Sequence, residues 1–279
     1  MSLMSKLSAT MLISASLFAA TNSEVETFLK NNLSKNPAIS SLTVKVVERQ
    51  PLEGMKGWDS FVVSLDAKVK QGKDEREVKQ RVIYFANDKV ITGELTDMKT
   101  GKSLRDAVAP KFKAEYYKKE NLIYGNANAK HKVAIFSDPL CPFCRNYVPK
   151  AVEYMKQYPE TFAVYYYHFP LERLHPAAPT LTRAAVAAEL QGRKDVMLSL
   201  YKVPTTITRE KDEQKILDAF NKAVNTNLKI SDLHAAAVNA QVASDDAVIE
   251  SLMVSGTPTV YFDGEKDATK NRYKGVNVK

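Results

Sequence analysis

Cysteine is scarce: 279 residues hold only two, Cys141 and Cys144, with two residues between them, and only four histidines. A fold stapled by several disulfides is thereby excluded, and a zinc site built on the pair lacks two ligands unless scattered histidines or a second chain supply them. Charge of one sign does not dominate either. The formal net charge is +8, but lysines alternate with acids along the whole chain, and no basic stripe with interleaved aromatics occurs. Nucleic acid is therefore not an expected partner, and the excess reads as a solvated basic surface. Internal repeats and low-complexity segments are missing too.

Long apolar runs are also lacking. The weakly apolar stretch over residues 7–20, after Lys6, spans about 14 residues, short of the roughly 20 that cross a bilayer but right for the apolar part of a secretory signal. Residues 1–20 are read as a signal peptide, with Met4 as an alternative start and, because no Ala-x-Ala ends the run, a retained inner-membrane anchor as the alternative fate. The expected location is the periplasm.

What is present centres on Phe136-Ser137-Asp138-Pro139-Leu140-Cys141-Pro142-Phe143-Cys144. An apolar run over 131–136 has the pattern of a buried strand, and 145–158 has helical periodicity, so the two cysteines sit at a strand-to-helix turn. A sulfur at a helix N-terminus meets unpaired amides and the positive end of the dipole, which favour thiolate over thiol. Cys141 suits that place because Pro142 fits a first helical turn; it is the candidate nucleophile, and Cys144 the candidate resolving thiol. An inert bridge is a second reading, but closing so short a loop removes little chain entropy. A zinc half-site is a third. Redox chemistry is favoured over both.

Two domains are expected. Residues 23–33 read as a helix with Ser23 as N-cap; 42–47, 58–65, 78–85 and 90–94 read as alternating strands of an antiparallel meander, with Trp58 in its core. This small α+β unit, residues 21–102, has a thin core and a sheet edge that a second copy would cover. Residues 103–121 read as a partly helical linker. In residues 122–279, strands at 122–125, 133–136 and 162–169 with an intervening helix form a βαβ unit. A helical insertion over about 176–249 carries periods at 177–190, 196–201, 210–224, 230–239 and 244–253; strands return at 259–262 and 273–276.

A second constellation, Ser255-Gly256-Thr257-Pro258-Thr259, precedes the strand at 259–262. Pro258 cannot donate to a sheet ladder, suits a cis bond in a tight turn and supplies no metal ligand. Placed beside Cys141, the loop leaves the Thr257 backbone to pair with an extended substrate.

With these residues in hand, the stretch from 122 to the end resembles the exported Dsb thiol–disulfide oxidoreductases of thioredoxin fold, carried by the 136–144 segment, the helical insertion and Val254 to Phe262. The N-terminal part resembles the cystatin-like dimerisation domain of the DsbC/DsbG branch. Pro142-Phe143 is closest to the DsbG pair, whereas Leu174-His175-Pro176-Ala177-Ala178 looks like the DsbA insertion. The resemblance implies an α+β, α/β chain whose thioredoxin-like domain follows a dimerisation domain, a homodimer, no cofactor and no metal. It further implies Cys141 and Cys144 as catalytic residues, Thr257 and Pro258 as the substrate loop, and Pro142, Phe143 and Asp138 as tuning residues. Its partners would be unfolded or misoxidised exported proteins and a DsbD-like or DsbB-like membrane redox partner. Isomerase or reductase activity is the leading expectation, with a dithiol oxidase and a holdase chaperone as alternatives. Asp138 reads either as a proton-transfer group or as a solvated turn residue or strand cap, His168 and His175 as hydrogen-bonded structural histidines or as groups approaching the site, residues 165–167 as strand packing, and Arg145 as a solvated helix-start residue or as an aid to the Cys141 thiolate.

Overall fold

A computed structural model describes residues 20–71, 74–105, 107–193 and 195–278 of the chain. The signal-peptide reading of residues 1–20 lies, but for Ala20, outside the described residues. The chain divides into two compact units, Met1–Val108 and Ala109–Lys279.

The first unit is helix α1, Asn22–Leu33, on a meander of β1, Ile39–Pro51, β2, Asp59–Gln71, β3, Asp74–Ala86, and β4, Ile91–Thr92, paired antiparallel in that order. The helix starts one residue before the expected Ser23 cap. Thr21 is the N-cap: its hydroxyl accepts from Glu24 N, and the Glu24 carboxylate accepts from Thr21 N. Such a reciprocal box satisfies two amides that a serine two residues further on would leave open. Val25 and Leu29, four apart on one helix face, pack on Val44, Val46, Phe61, Val63 and Ala86. Alternate residues of three strands thus share one core face. Val46 N, beside a register shift in β1, donates to Glu26 of the helix at 2.8 Å, tying the two layers together. Trp58 is only half-buried, not core; it precedes β2, in a turn where its N–H donates to Met55 O and its carbonyl accepts from Leu52 N.

The second unit holds a five-stranded sheet of order β5, Leu122–Tyr124, β7, Phe162–His168, β6, His131–Ser137, β8, Thr259–Phe262, and β9, Glu265–Lys266. Strands β6 and β7 run parallel, joined across helix α2, Pro142–Lys156, and the other pairings are antiparallel. Both faces of the sheet are covered. Val133, Ile135, Val164, Tyr166, Val260 and Phe262 point into one core with α2 and the insertion; Ala134, Phe136, Ala163, Tyr165, Tyr167 and Tyr261 point into the other. A sheet buried on both sides requires continuous apolar strands, which is what β6 and β7 are. The three tyrosines at 165–167 therefore divide between two cores.

The insertion contains α3, Ala178–Leu190, α4, Val196–Leu200, α5, Glu213–Val224, α6, Ile230–Leu233, and α7, Ala236–Ser251. Here and at the last strand the structure differs from the expectation. The periods at 230–239 and 244–253 resolve into one short turn of helix and a single long helix, α7, because Ala240-Gln241-Val242-Ala243 has no breaker to stop it. The expected terminal strand at 273–276 is instead a 3-10 turn, Arg272–Gly275, with buried Tyr273; the partner of β8 after the Asp263-Gly264 turn is β9. Over 109–121, within the stretch read as a linker, there are only two 3-10 turns, Ala114–Tyr116 and Lys119–Asn121. Phe112 is buried there among the rings of Tyr117, Tyr167 and Tyr261, and its N–H donates to Gly264 O at 2.8 Å. No helix among the described residues is long and apolar enough to cross a membrane.

A buried polar cluster closes the far end of β7. Asp245 of α7 accepts from Asn121 Nδ2 at 2.8 Å, Gln241 Nε2 at 3.0 Å and His168 N at 3.1 Å, while the His168 ring lies 3.5 Å from Glu189. Burial raises Asp245 from the ordinary 3.8 to about 6. For His168 burial disfavours the charge, but the hydrogen bond and charge of Glu189, with Asp245 behind, outweigh it and raise the imidazole above 6.5. The folded chain therefore holds protons that the unfolded chain has already released. Stability from Asp245 is full below about 4 and is lost as pH rises to about 6, and that from His168 is lost above 6.5. Urea unfolding across pH 4–8 is expected to show this decline, on the order of 2 kcal/mol for Asp245, and Asp245→Asn is expected to remove the part between pH 4 and 6. An identical pH slope in the two proteins would rule the effect out.

Candidate functional site

Strand β6 ends at Ser137, deep in the sheet, and the chain must turn at once into α2. Asp138 makes the turn. Its Oδ1 accepts from Leu140 N at 2.7 Å, and its Oδ2 accepts from Leu171 N at 2.7 Å and from the Nδ1–H of His175 at 2.9 Å. The carboxylate is 0% exposed, so the solvated-turn reading of Asp138 fails: it is a buried brace tying the loop before Cys141 to the segment after β7. Three donors compensate the cost of burying that charge. His175 is thus brought to the site's edge, while His168 belongs to the cluster with Asp245. Arg145 is half-buried and donates to Pro139 O at 2.9 Å, holding the same loop rather than pairing with a sulfur.

Cys141 is the N-cap of α2, with extended backbone (φ −66, ψ 122), and Pro142 is the first helical residue, where its missing N–H costs nothing. The sulfur lies against the loop before β8: Cys141 Sγ donates to Thr257 O at 3.5 Å. The Thr257–Pro258 bond is cis, and Thr259 Oγ1 donates to Gly256 O at 2.8 Å within the same turn. Residues 116 positions apart are joined here because β8 pairs antiparallel with β6, Phe136 opposite Thr259. That register sets the Thr257–Pro258 turn beside the start of α2.

Both cysteines are buried, Cys144 the more deeply. Cys141 is 5% exposed at the surface edge, whereas Cys144, one turn into the helix, is 0% exposed. Both are free thiols. Burial pushes the Cys144 thiol up to about 12, although the nearby Ser137 hydroxyl and Asp138 amide favour the thiolate. Phe143, between them, points outward and is 76% exposed, and Leu174, just before His175, is also exposed. A sulfur at the helix N-terminus, a deeper one a turn away and an apolar rim are thus set side by side. Among the described residues no group of three or more acids, histidines or cysteines is arranged to hold a metal ion.

Two members of this site carried no signal in the sequence. Ser137 looks like an ordinary strand residue, yet its hydroxyl favours the Cys144 thiolate against burial. Tyr201 stands 57 residues past Cys144, at the end of α4, and its hydroxyl reaches Ser137 Oγ at 2.7 Å. Only the folding of the insertion back over the sheet brings it there.

The chain is 25% identical over 150 residues to the Na(+)/H(+) antiporter NhaA 1 of Mycolicibacterium gilvum (strain PYR-GCK), a match covering 52% of this chain and 23% of that protein. The chain thus spans about a quarter of the length of the curated relatives it matches. Among solved structures it is similar to a thioredoxin-like oxidoreductase from Silicibacter pomeroyi DSS-3, at 21% identity over 57% of this chain and 94% of that one, with a TM-score of 0.44. A linker-deletion mutant of Proteus mirabilis ScsC matches at 18% identity over 57% and 74% of the two chains, also with a TM-score of 0.44. The profile of the thioredoxin family matches residues 118–277, more than half of the sequence and the whole of the sheet that carries the two cysteines. The chain belongs to the thioredoxin family.

Proposed function

We propose that this protein is an exported thiol–disulfide oxidoreductase that acts on disulfides of other proteins, chiefly as an isomerase or reductase, through Cys141 and Cys144. The observation that carries the reading is the asymmetry of the pair: a sulfur at a helix N-terminus against the Thr257 carbonyl, and a second, fully buried sulfur one turn away. Cys141 thiolate attacks a substrate disulfide, one substrate sulfur leaves, and a mixed disulfide forms. Cys144 then attacks Cys141, the substrate sulfur departs reduced, and the pair is oxidised. No cofactor enters, since electrons pass only between sulfurs. Once Cys141 ionises, the Thr257 carbonyl loses its S–H donor and becomes an acceptor for an extended substrate backbone, and exposed Phe143 and Leu174 offer apolar contact to unfolded chains.

The branch follows the same reading. The first strand of the N-terminal meander, β1, is an edge of thirteen residues; two copies pair through this unit, in the manner of DsbC and DsbG, as a homodimer that works in the periplasm and is reset by a DsbD-like membrane donor. A DsbB-like partner would instead accompany net oxidation.

The Cys144→Ser protein tests the first claim. Mixed with a disulfide-bonded protein, it is expected to accumulate a covalent complex through Cys141 that decays at least roughly a hundredfold more slowly than in the wild type; a complex that never forms would sink exchange altogether. Repair of scrambled ribonuclease outpacing oxidation of the reduced enzyme supports the isomerase direction, and the reverse ranking supports the oxidase.

A further inference from the structure

Three donors converge on the Asp138 carboxylate, and they come from two distant parts of the chain. Leu140 N, in the loop that enters α2, donates to Oδ1 at 2.7 Å, while Leu171 N and His175 Nδ1, in the segment between β7 and α3, donate to Oδ2 at 2.7 and 2.9 Å. An ionised carboxylate only accepts, so the imidazole proton on this contact belongs to Nδ1. His175 is itself held at both ends of its backbone. Its N–H donates to Leu171 O at 2.8 Å, and its carbonyl accepts from the N–H of Ala178, the first residue of α3, at 2.9 Å. The helical insertion thus begins on a residue that reaches back to the cysteine loop.

What this brace fixes is the backbone on either side of Leu140. The amides of Leu140 and Cys141 both end on Asp138, the first on its carboxylate at 2.7 Å and the second on its carbonyl at 3.2 Å. Around them, Ser137 O accepts from Phe169 N at 2.9 Å and Pro139 O from Arg145 Nη1 at 2.9 Å. The loop is therefore tied on one side to the segment after β7 and on the other to α2, and Cys141 Sγ is left 3.5 Å from Thr257 O. Among the described residues His175 is the one side chain that donates to the Asp138 carboxylate. The carboxylate is 0% exposed and the imidazole 13%, so water does not readily replace the N–H. Without it a buried charge is one hydrogen bond short, and the loop relaxes toward another donor, taking Cys141 with it.

We propose that His175 is a positioning residue for disulfide exchange: its Nδ1–H, through Asp138, holds Cys141 at the N-cap of α2 in the place from which it attacks. The inference rests on the exchange reading above. In the step it serves, a bond forms between the Cys141 sulfur and one substrate sulfur while the substrate disulfide breaks. The electron pair leaves with the other substrate sulfur, which takes a proton from water, and the imidazole keeps its own. The N-terminus of α2 favours thiolate only for a sulfur held against its free amides, so the same bond serves both the direction of attack and the charge on the attacking atom. The insertion thereby sets the nucleophile as well as covering the sheet.

The test is run in a Cys144→Ser background, where Cys141 is the only thiol. Attack is read as the rate of mixed-disulfide formation with a disulfide-bonded protein, and the reactivity of the sulfur itself as alkylation by iodoacetamide across pH. His175→Phe keeps a planar ring and removes the N–H. It is expected to slow attack about tenfold and to move the alkylation profile to higher pH. His175→Asn carries an amide N–H close to the place of Nδ1 and is expected to bring both back near their original values, which a loss of packing alone would not predict. His175→Leu gives the same readout as the phenylalanine should that variant fold poorly. In the unsubstituted protein, ¹⁵N shifts of the ring should show the proton on Nδ1; an imidazole protonated on Nε2 alone overturns the inference. Unchanged attack and alkylation in His175→Phe, or equal slowing in the phenylalanine and asparagine variants, overturns it while leaving exchange standing. Absence of any mixed disulfide with His175 intact overturns exchange and the inference together.

Discussion

Cys141→Ser abolishes disulfide exchange, with turnover of a disulfide-bonded protein expected to fall by on the order of a thousandfold or more while the fold is retained. The size of the loss follows from the inability of the second thiol to take over. Cys144 is 0% exposed and its thiol is pushed up to about 12. Burial thus keeps it as the thiol near neutral pH, and no substrate disulfide could reach it without opening the helix start. The double variant lacking both sulfurs should therefore be no worse than Cys141→Ser alone. The assay is reduction of insulin under excess dithiol, with thermal unfolding run alongside: serine at an N-cap is a favourable residue, so melting should shift by only a few degrees. Residual turnover within tenfold of wild type would remove Cys141 from the role of nucleophile. Undiminished suppression of client aggregation by the same variant would support the holdase alternative.

The parts of this site that were legible before the structure are those in which local chemistry decides the local conformation. An apolar run followed by a proline inside a helical period marks a strand-to-helix turn whatever surrounds it, and Thr257-Pro258 ahead of a short strand marks a constrained loop. That these two meet depends on β8 lying beside β6, which a chain with one redox pair and one such loop made a natural expectation. Asp138 was harder. Its position before Cys141 suggested either proton transfer or a solvated turn, because nothing nearby hints that Leu171 N and His175, more than thirty residues on, would arrive to bind it. Ser137 and Tyr201 gave no signal at all, since a hydroxyl in a strand and a phenol at a helix end are indistinguishable from ordinary packing until the insertion closes over them.

The fold divides in the same way. The meander, the βαβ unit and the helical insertion follow from periodicity, while errors fell at ends and joins: α1 is capped by Thr21 because Glu24 completes the box, and α7 runs through Ala240–Ala243 because nothing there breaks it. Lys- and Tyr-rich residues 109–121 lack any period, and what they contribute is a buried ring, Phe112, held by partners from three distant strands, and the buried Asn121 amide that donates to Asp245. Tertiary packing, not propensity, fixes such a segment.

Gly125→Ala is expected to cost about 4 kcal/mol of stability, among the largest effects of any single methyl in this chain. Gly125 follows β5 directly, in the left-handed region at φ +84, where a side chain is already strained. Space is the larger obstacle: a Cβ there would stand 1.8 Å from Phe162 O, 2.9 Å from Phe162 C and 3.3 Å from Ala163 Cα. All three are backbone atoms at the start of β7, so no rotamer change relieves the contact. The chain must instead pull β5 off the sheet, breaking the pairing of Leu122 with Tyr165 and Tyr124 with Val164, or shift β7, which runs parallel to the strand ending at Ser137. Gly192→Ala supplies the control. Its φ is +91, equally unfavourable, but nothing lies within 4 Å of its Cβ position, so it should lose only the dihedral part, about 1–2 kcal/mol. Urea unfolding of both variants gives the clash by subtraction. Equal losses at the two positions would mean that β5 yields freely, and that the edge of the sheet does not contribute to holding β7 in register beneath the cysteine pair.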